Sequence, residues 1–179
     1  MTRTLDPRGM TRRELLKRGT ALGTAFVAGA GFLAHARDAW AIELKALAPQ
    51  TMATLIQMAR DIYPHDRIAD QYYAIAVKDH DDKAAGDAAH KALIEDGVAN
   101  LDSMAVAAGA PSYLGTGWEI ERVTLLRRIE TTGFFQAVRG GLIVGLYNQK
   151  EVWPVFGYEG ESFSKGGYID RGFDDIAWL

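Results

Sequence analysis

Three groups of side chains in this chain are of the kinds that carry chemistry. The densest is Asp79-His80-Asp81-Asp82, with His90 following. Carboxylates and imidazoles ligate divalent metals and serve as general acids and bases. The spacing matches neither H-E-x-x-H nor a calcium-binding loop. Acidic residues set among Lys78, Lys83 and Gly86 read better as a solvated loop. His65, between Pro64 and Asp66, reads as a turn-closing histidine. Ser162 and Ser164 lack a G-x-S-x-G context and have no histidine after them. No set of nucleophile, base and orienting group can be assembled from these residues. The expectation is therefore no catalytic residue, no metal ligand set and no cofactor site in the chain. A metal-dependent enzyme built on Asp79 to His90 is the least favoured alternative.

The strongest pattern lies at the start. Thr11-Arg12-Arg13-Glu14-Leu15-Leu16-Lys17 is a twin-arginine sequence, and a Gly/Ala-rich apolar run follows from Gly19 to Ala34. A basic stretch, an apolar run and then small residues at A-x-A spacing form an export signal for proteins translocated already folded. The run is shorter than the ~20 residues that span a bilayer. Ala39-Trp40-Ala41 is the preferred cleavage site and Ala34-His35-Ala36 the second. The reading is thus a signal over residues 1–41 and an exported domain over 42–179, periplasmic after passage through the twin-arginine translocase.

Composition bounds that domain. The whole chain carries 20 Lys+Arg against 23 Asp+Glu. Residues 1–41 hold seven of the basic and three of the acidic residues, so 13 and 20 remain, a net charge of −7. An acidic surface disfavours nucleic acid. With no cysteine, there is neither disulfide nor C-x-x-C-H haem attachment, and stability rests on packing. A chain with no cofactor fingerprint and a folded-export signal suggests the escort of a larger, loaded protein.

Periodicity predicts an all-α domain of four to five helices. Pro49 suits a first turn, Met52, Leu55/Ile56, Ala59 and Ile62/Tyr63 mark one buried face, and Pro64 ends the helix. A second, shorter helix is expected after an Asp66 cap, with Tyr72, Tyr73, Ile75 and Ala76 inward and Lys78 to Asp87 as loop or frayed end. A third is expected from about Ala84 to Ala108, with Leu93, Gly97, Leu101 and Met104 on one face, stopped by Gly109-Ala110-Pro111. Thr116 and Glu119 are spaced as a capping box. Beyond it Ile120, Val123, Leu126, Ile129, Phe134, Val138, Leu142 and Leu146 keep a helical period that Gly133 interrupts. Gly141 and Gly145, four apart, would let a neighbouring backbone approach.

After Tyr147 the period is lost. Residues 148–179 form an aromatic-rich tail punctuated by glycines, which favour turns. Trp153, Phe156 and Tyr158 either fold onto the helices or face a partner. Tyr168, Arg171, Phe173 and Trp178 are the leading interface residues, since aromatics with an occasional arginine make protein–protein hot spots.

Several of these stretches resemble one family. Leu47-Ala48-Pro49 opening a helix that closes on Asp61-Ile62-Tyr63-Pro64, then Gly145-Leu146-Tyr147-Asn148, Glu151-Val152-Trp153 and Phe156-Gly157-Tyr158-Glu159-Gly160, are similar to the gluconate 2-dehydrogenase subunit 3 family. One departure is Ala48, where the family leads one to expect Ser or Thr at the helix cap. The resemblance implies a non-catalytic small subunit of a periplasmic dehydrogenase acting on sugars or polyols. It implies a large subunit of the glucose–methanol–choline type that holds FAD, and in some complexes a cytochrome c subunit. A free-standing exported helical binding protein is the alternative from another class.

Overall fold

The computed structural model describes residues 26–29, 32–35 and 40–170. Arg12 and Arg13 lie outside these, as do Arg171, Phe173 and Trp178. The molecule is a small all-α domain. Its described part opens with a short antiparallel sheet of three strands, β1 (Phe26–Gly29), β2 (Phe32–His35) and β3 (Trp40–Glu43), paired in that order. Phe26 faces His35 in the first pair and Phe32 faces Glu43 in the second.

Five helices follow. α1 (Pro49–Ile62) has proline in its first turn and buries Met52, Leu55, Ile56 and Ala59, the face its spacing predicts. α2 (Asp70–Gly86) corrects the sequence reading in three ways. It starts after Ala69 rather than at Asp66. It runs unbroken through the polar stretch expected to be loop. Its inward side holds Tyr73, Ala74, Ala76 and Val77, while Ile75 is exposed. The charges that suggested a loop pair along the helix, Lys78 with the exposed Asp82 and the buried Asp81, and Lys83 with Asp79, three and four residues apart.

α3 (Ala88–Ala107) is separated from α2 by the single residue Asp87, whose carboxylate accepts the backbone N–H groups of Ala89 and His90. Its buried face is Ile94, Val98, Leu101 and Ala105, so Leu93, expected inside, lies one position off the core stripe. α4 (Glu119–Arg128) lacks the expected capping box. Trp118 holds the cap position, and the Thr116 hydroxyl donates to the Ser112 carbonyl at 3.0 Å instead. Leu125 and Leu126 are buried, whereas Ile120 is exposed. α5 (Gly133–Tyr147) begins where Gly133 was expected to interrupt, with the Thr132 hydroxyl accepting the Phe135 N–H. Phe134, Val138, Leu142 and Leu146 are all buried.

α2 is the central element, packed against α1, α3 and α5. Its approach to α5 depends on Gly145. A Cβ there would lie 2.8 Å from the Ala76 carbonyl oxygen and 3.1 Å from its Cα. The two backbones touch at that point, as the Gly141/Gly145 spacing predicted. Beyond Tyr147 there is no α-helix among the described residues. The tail runs through two 3-10 turns, Trp153–Phe156 and Phe163–Lys165, and after Val152 none of its described side chains is fully buried. No described helix is long and apolar enough to cross a membrane.

Candidate functional site

The acidic and histidine cluster is the first candidate, and the helix frame dissolves it into pairs. Asp79 is bound to Lys83, and Asp82 to Lys78 and Lys45. Asp81 points inward with no exposure and accepts the backbone N–H groups of Lys45 (2.8 Å), Ala46 (2.9 Å) and Leu47 (2.8 Å), and the Lys78 ammonium at 2.8 Å. Burial alone would raise its pKa, but these four donors outweigh burial and bring it down to about 2. His80 is 4% exposed and its Nδ1 is 3.1 Å from Nε2 of His90, with the ring planes within 8°. Burial first, then His90 and Lys83, depress its pKa from 6.5 to about 4. It is neutral at physiological pH, and which of the two rings donates in the contact is set by the tautomer. Among the described residues, no group of three or more His, Cys, Asp or Glu is arranged to hold a metal.

A second polar cluster escaped the sequence reading. Asp61 on α1 is buried and takes both arms of Arg122 on α4, Nε at 2.7 Å and Nη2 at 2.9 Å. The Tyr113 hydroxyl donates to the same carboxylate at 2.6 Å, and Gln57 reaches it at 3.1 Å. Burial, then the Asp61 charge, raise the Tyr113 pKa far above its ordinary value. Arg122 also donates to the Thr116 carbonyl at 3.0 Å. The cluster ties α1, the α3–α4 connection and α4 together, and every carboxylate oxygen is occupied. The signal in the sequence was a carboxylate three residues after Met58, on the core side of α1.

A shallow cleft of about 230 Å³ lies beside α4, lined by Ala108, Ala110, Ile120, Glu121, Leu125 and Arg128 among others. Small-molecule sites commonly occupy ~300–1,000 Å³. This one is below that range.

The third candidate is the aromatic surface, and here the structure brings some of the expected residues together. The Trp153 indole N–H donates to the Tyr147 carbonyl at 2.8 Å, and its ring meets Tyr158 edge-on at 5.1 Å. Phe156 packs against His65 at 5.1 Å and Tyr147 at 5.5 Å. His65 is in turn hydrogen-bonded through Nε2 to the Tyr147 hydroxyl at 2.8 Å, and Tyr63 closes the group 5.8 Å from Tyr147. His65 and Tyr63 were not anticipated here. Gly157 and Gly160 turn the chain at φ 72° and 98°, conformations that disfavour any side chain, and so keep Tyr158 beside Trp153.

Trp153 is therefore half inside, anchoring the tail on the end of α5, whereas Phe156 and Tyr158 are about half exposed. Further along, Phe163 is 92% exposed, with Tyr168 and Ile169 also out in solvent. The stretch from α5 to Ile169 is a rim of large apolar groups on a pinned base, geometry suited to contact with another protein. No family model, curated protein or solved structure matches this chain.

Proposed function

We propose that this protein is the non-catalytic small subunit of a periplasmic, FAD-dependent dehydrogenase acting on sugars or polyols. It binds the glucose–methanol–choline type large subunit in the cytoplasm, stabilises it, and carries it through the twin-arginine translocase on its own signal. FAD belongs to the large subunit, and a cytochrome c subunit passes electrons onward in complexes that have one. The proposal rests on the twin-arginine signal and on the family resemblance of the segments around Tyr147 and Gly160. The observation that carries it is the pinned aromatic tail. Phe163 and Tyr168 stand in solvent and Phe156 and Tyr158 are half exposed, on a segment with no interior of its own, the arrangement expected of a surface completed by a partner.

The test is co-purification from the native periplasm with tagged full-length protein. A flavoprotein should accompany it, identified by mass spectrometry and flavin absorption. Replacing Arg12 and Arg13 by lysine should remove both chains from the periplasm. Truncation after Gly160 should leave a folded helical body that no longer retains the flavoprotein. A lone, colourless monomer in the periplasm would refute the proposal, and a flavoprotein retained after truncation would refute the assignment of the distal tail to the interface.

A further inference from the structure

The segment entering α1 is held in an unusual manner. Helix N-termini leave four N–H groups without intrahelical partners, and the cap residue's own side chain commonly meets one of them. Ala48 has no side chain able to do so. Instead, four consecutive backbone donors ahead of the helix are met from elsewhere in the fold. Lys45, Ala46 and Leu47 donate to Asp81 of α2, and Ala48 donates to Glu95 of α3 at 2.9 Å. Glu95 also accepts the Thr51 hydroxyl. Leu44 and Leu47 are buried at either end of this stretch. Lys78 and Lys45, the latter bound to Asp82, set positive charge around the carboxylate of Asp81 and its neighbour.

We infer that residues 44–48 are a latch whose closure requires α2 and α3 to be packed side by side. Nothing local holds it: its donors are satisfied only when carboxylates from two different helices converge on one strand of chain. The latch follows directly after β3, so it ties the segment that carries the strands to α2 and α3, in addition to the contacts β1 and β2 make with α1. A chain whose α2 and α3 are not yet together lacks this tie. Under the escort reading, the export segment is then attached at a defined place only on a folded domain. The latch itself does not depend on that reading.

The latch contains its own reporter, because the Lys45–Ala46 peptide bond is a trypsin site. Cleavage requires an extended chain with its backbone groups available to the protease, which a closed latch denies. Lys165, in an exposed 3-10 turn of the tail held by backbone bonds to its own neighbours, supplies the control bond, because opening one short surface turn is enough to expose it. In purified full-length protein, trypsin should cut after Lys165 well before Lys45. Asp81→Asn should speed the Lys45 cut by roughly ten-fold or more, as charge-assisted bonds are lost, while cleavage after Lys165 is unchanged. Equal rates at the two bonds in the wild type, or no acceleration in the variant, would overturn the latch. Should Asp81→Asn fail to fold by circular dichroism, hydrogen exchange on the wild type decides. The amides of residues 45–48 should share the protection of α2, and exchange at the rate of the tail amides would overturn it. Neither readout involves a partner, so failure of the escort reading shows separately, as the absence of a co-purifying flavoprotein.

Discussion

Burial of His80 makes the stability of this domain pH-dependent between about pH 6.5 and 4. His80 is buried against α5, where a Cβ at Gly141 would sit 3.4 Å from its Nε2, and its Nδ1 meets His90. The charged groups near it are Lys83 and Asp79, themselves paired. Its pKa is held at about 4, against an ordinary value of 6.5. The folded state thus refuses a proton that the unfolded chain accepts. Above pH 6.5 the group has no effect on the slope. As pH falls from 6.5 toward 4, the unfolded chain gains the proton first and stability declines, by ~2 kcal/mol at pH 5 and ~3 kcal/mol at pH 4. Below that, the folded state also takes up the proton and this contribution levels off. The assay is urea denaturation at pH 7, 6, 5 and 4.5, comparing wild type with His80→Leu. Subtracting the two curves removes the carboxylates and leaves His80. The variant should start less stable at pH 7, and the gap should close by ~2 kcal/mol at pH 5. Parallel curves across the whole range would refute the reasoning.

Other perturbations test the packing and the buried polar groups. Gly145→Ala places a methyl 2.8 Å from the Ala76 carbonyl, forcing α2 and α5 apart, and should cost ~1–3 kcal/mol by urea denaturation. Arg122→Met leaves the Asp61 carboxylate buried without its cation and should cost ~3–5 kcal/mol, whereas Tyr113→Phe, which removes one donor, should cost ~1–3 kcal/mol. Glu95→Ala removes the acceptor of Ala48 and Thr51 and should lower stability by ~1 kcal/mol. Asp81, with a pKa of about 2 against 3.8 unfolded, contributes stability that is fully present above pH ~4. That contribution is lost as pH falls toward 2, by ~2 kcal/mol, and Asp81→Asn should abolish that acid limb.

α1 and α5 were legible because their apolar residues keep three-and-four spacing beside clear punctuation, Pro49 and Pro64 for one, Gly133 for the other. The close approach of a backbone to α5 at Gly141 and Gly145 could also be read, although not that α2 supplies it. The second half of α2 was not legible. Its residues from Lys78 to Lys83 are nearly all charged, and hydropathy cannot distinguish a solvated loop from a helix laced with i,i+3 and i,i+4 ion pairs. For the same reason Asp81 passed as one more surface carboxylate, although it has no exposure. Its partners are backbone N–H groups of residues 45–47, which carry no side-chain signature. Asp61 and Glu95 escaped similarly, because what they bind lies on other elements. The capping box failed through competition: the Thr116 hydroxyl found the Ser112 carbonyl, and the helix began two residues later than that box requires.

The groups able to do chemistry in the described part of this chain are turned toward one another. Asp61 is filled by Arg122 and Tyr113, Asp81 by three N–H groups and a lysine, and His80 meets His90. A carboxylate so occupied has little affinity left for a substrate or a metal, and a histidine with a pKa near 4 is a poor proton carrier at neutral pH. The apolar groups of the tail are in the opposite condition. Phe163 is almost fully in water, and covering one such side chain is worth ~1.5–3 kcal/mol. Phe156, Tyr158 and Tyr168 would add to that on a segment already anchored by the Trp153 indole, so little ordering entropy is left to oppose the gain at that end. Burial of these side chains against another protein would release that free energy. This exposed apolar surface is the physical basis on which the proposal of binding and carriage stands.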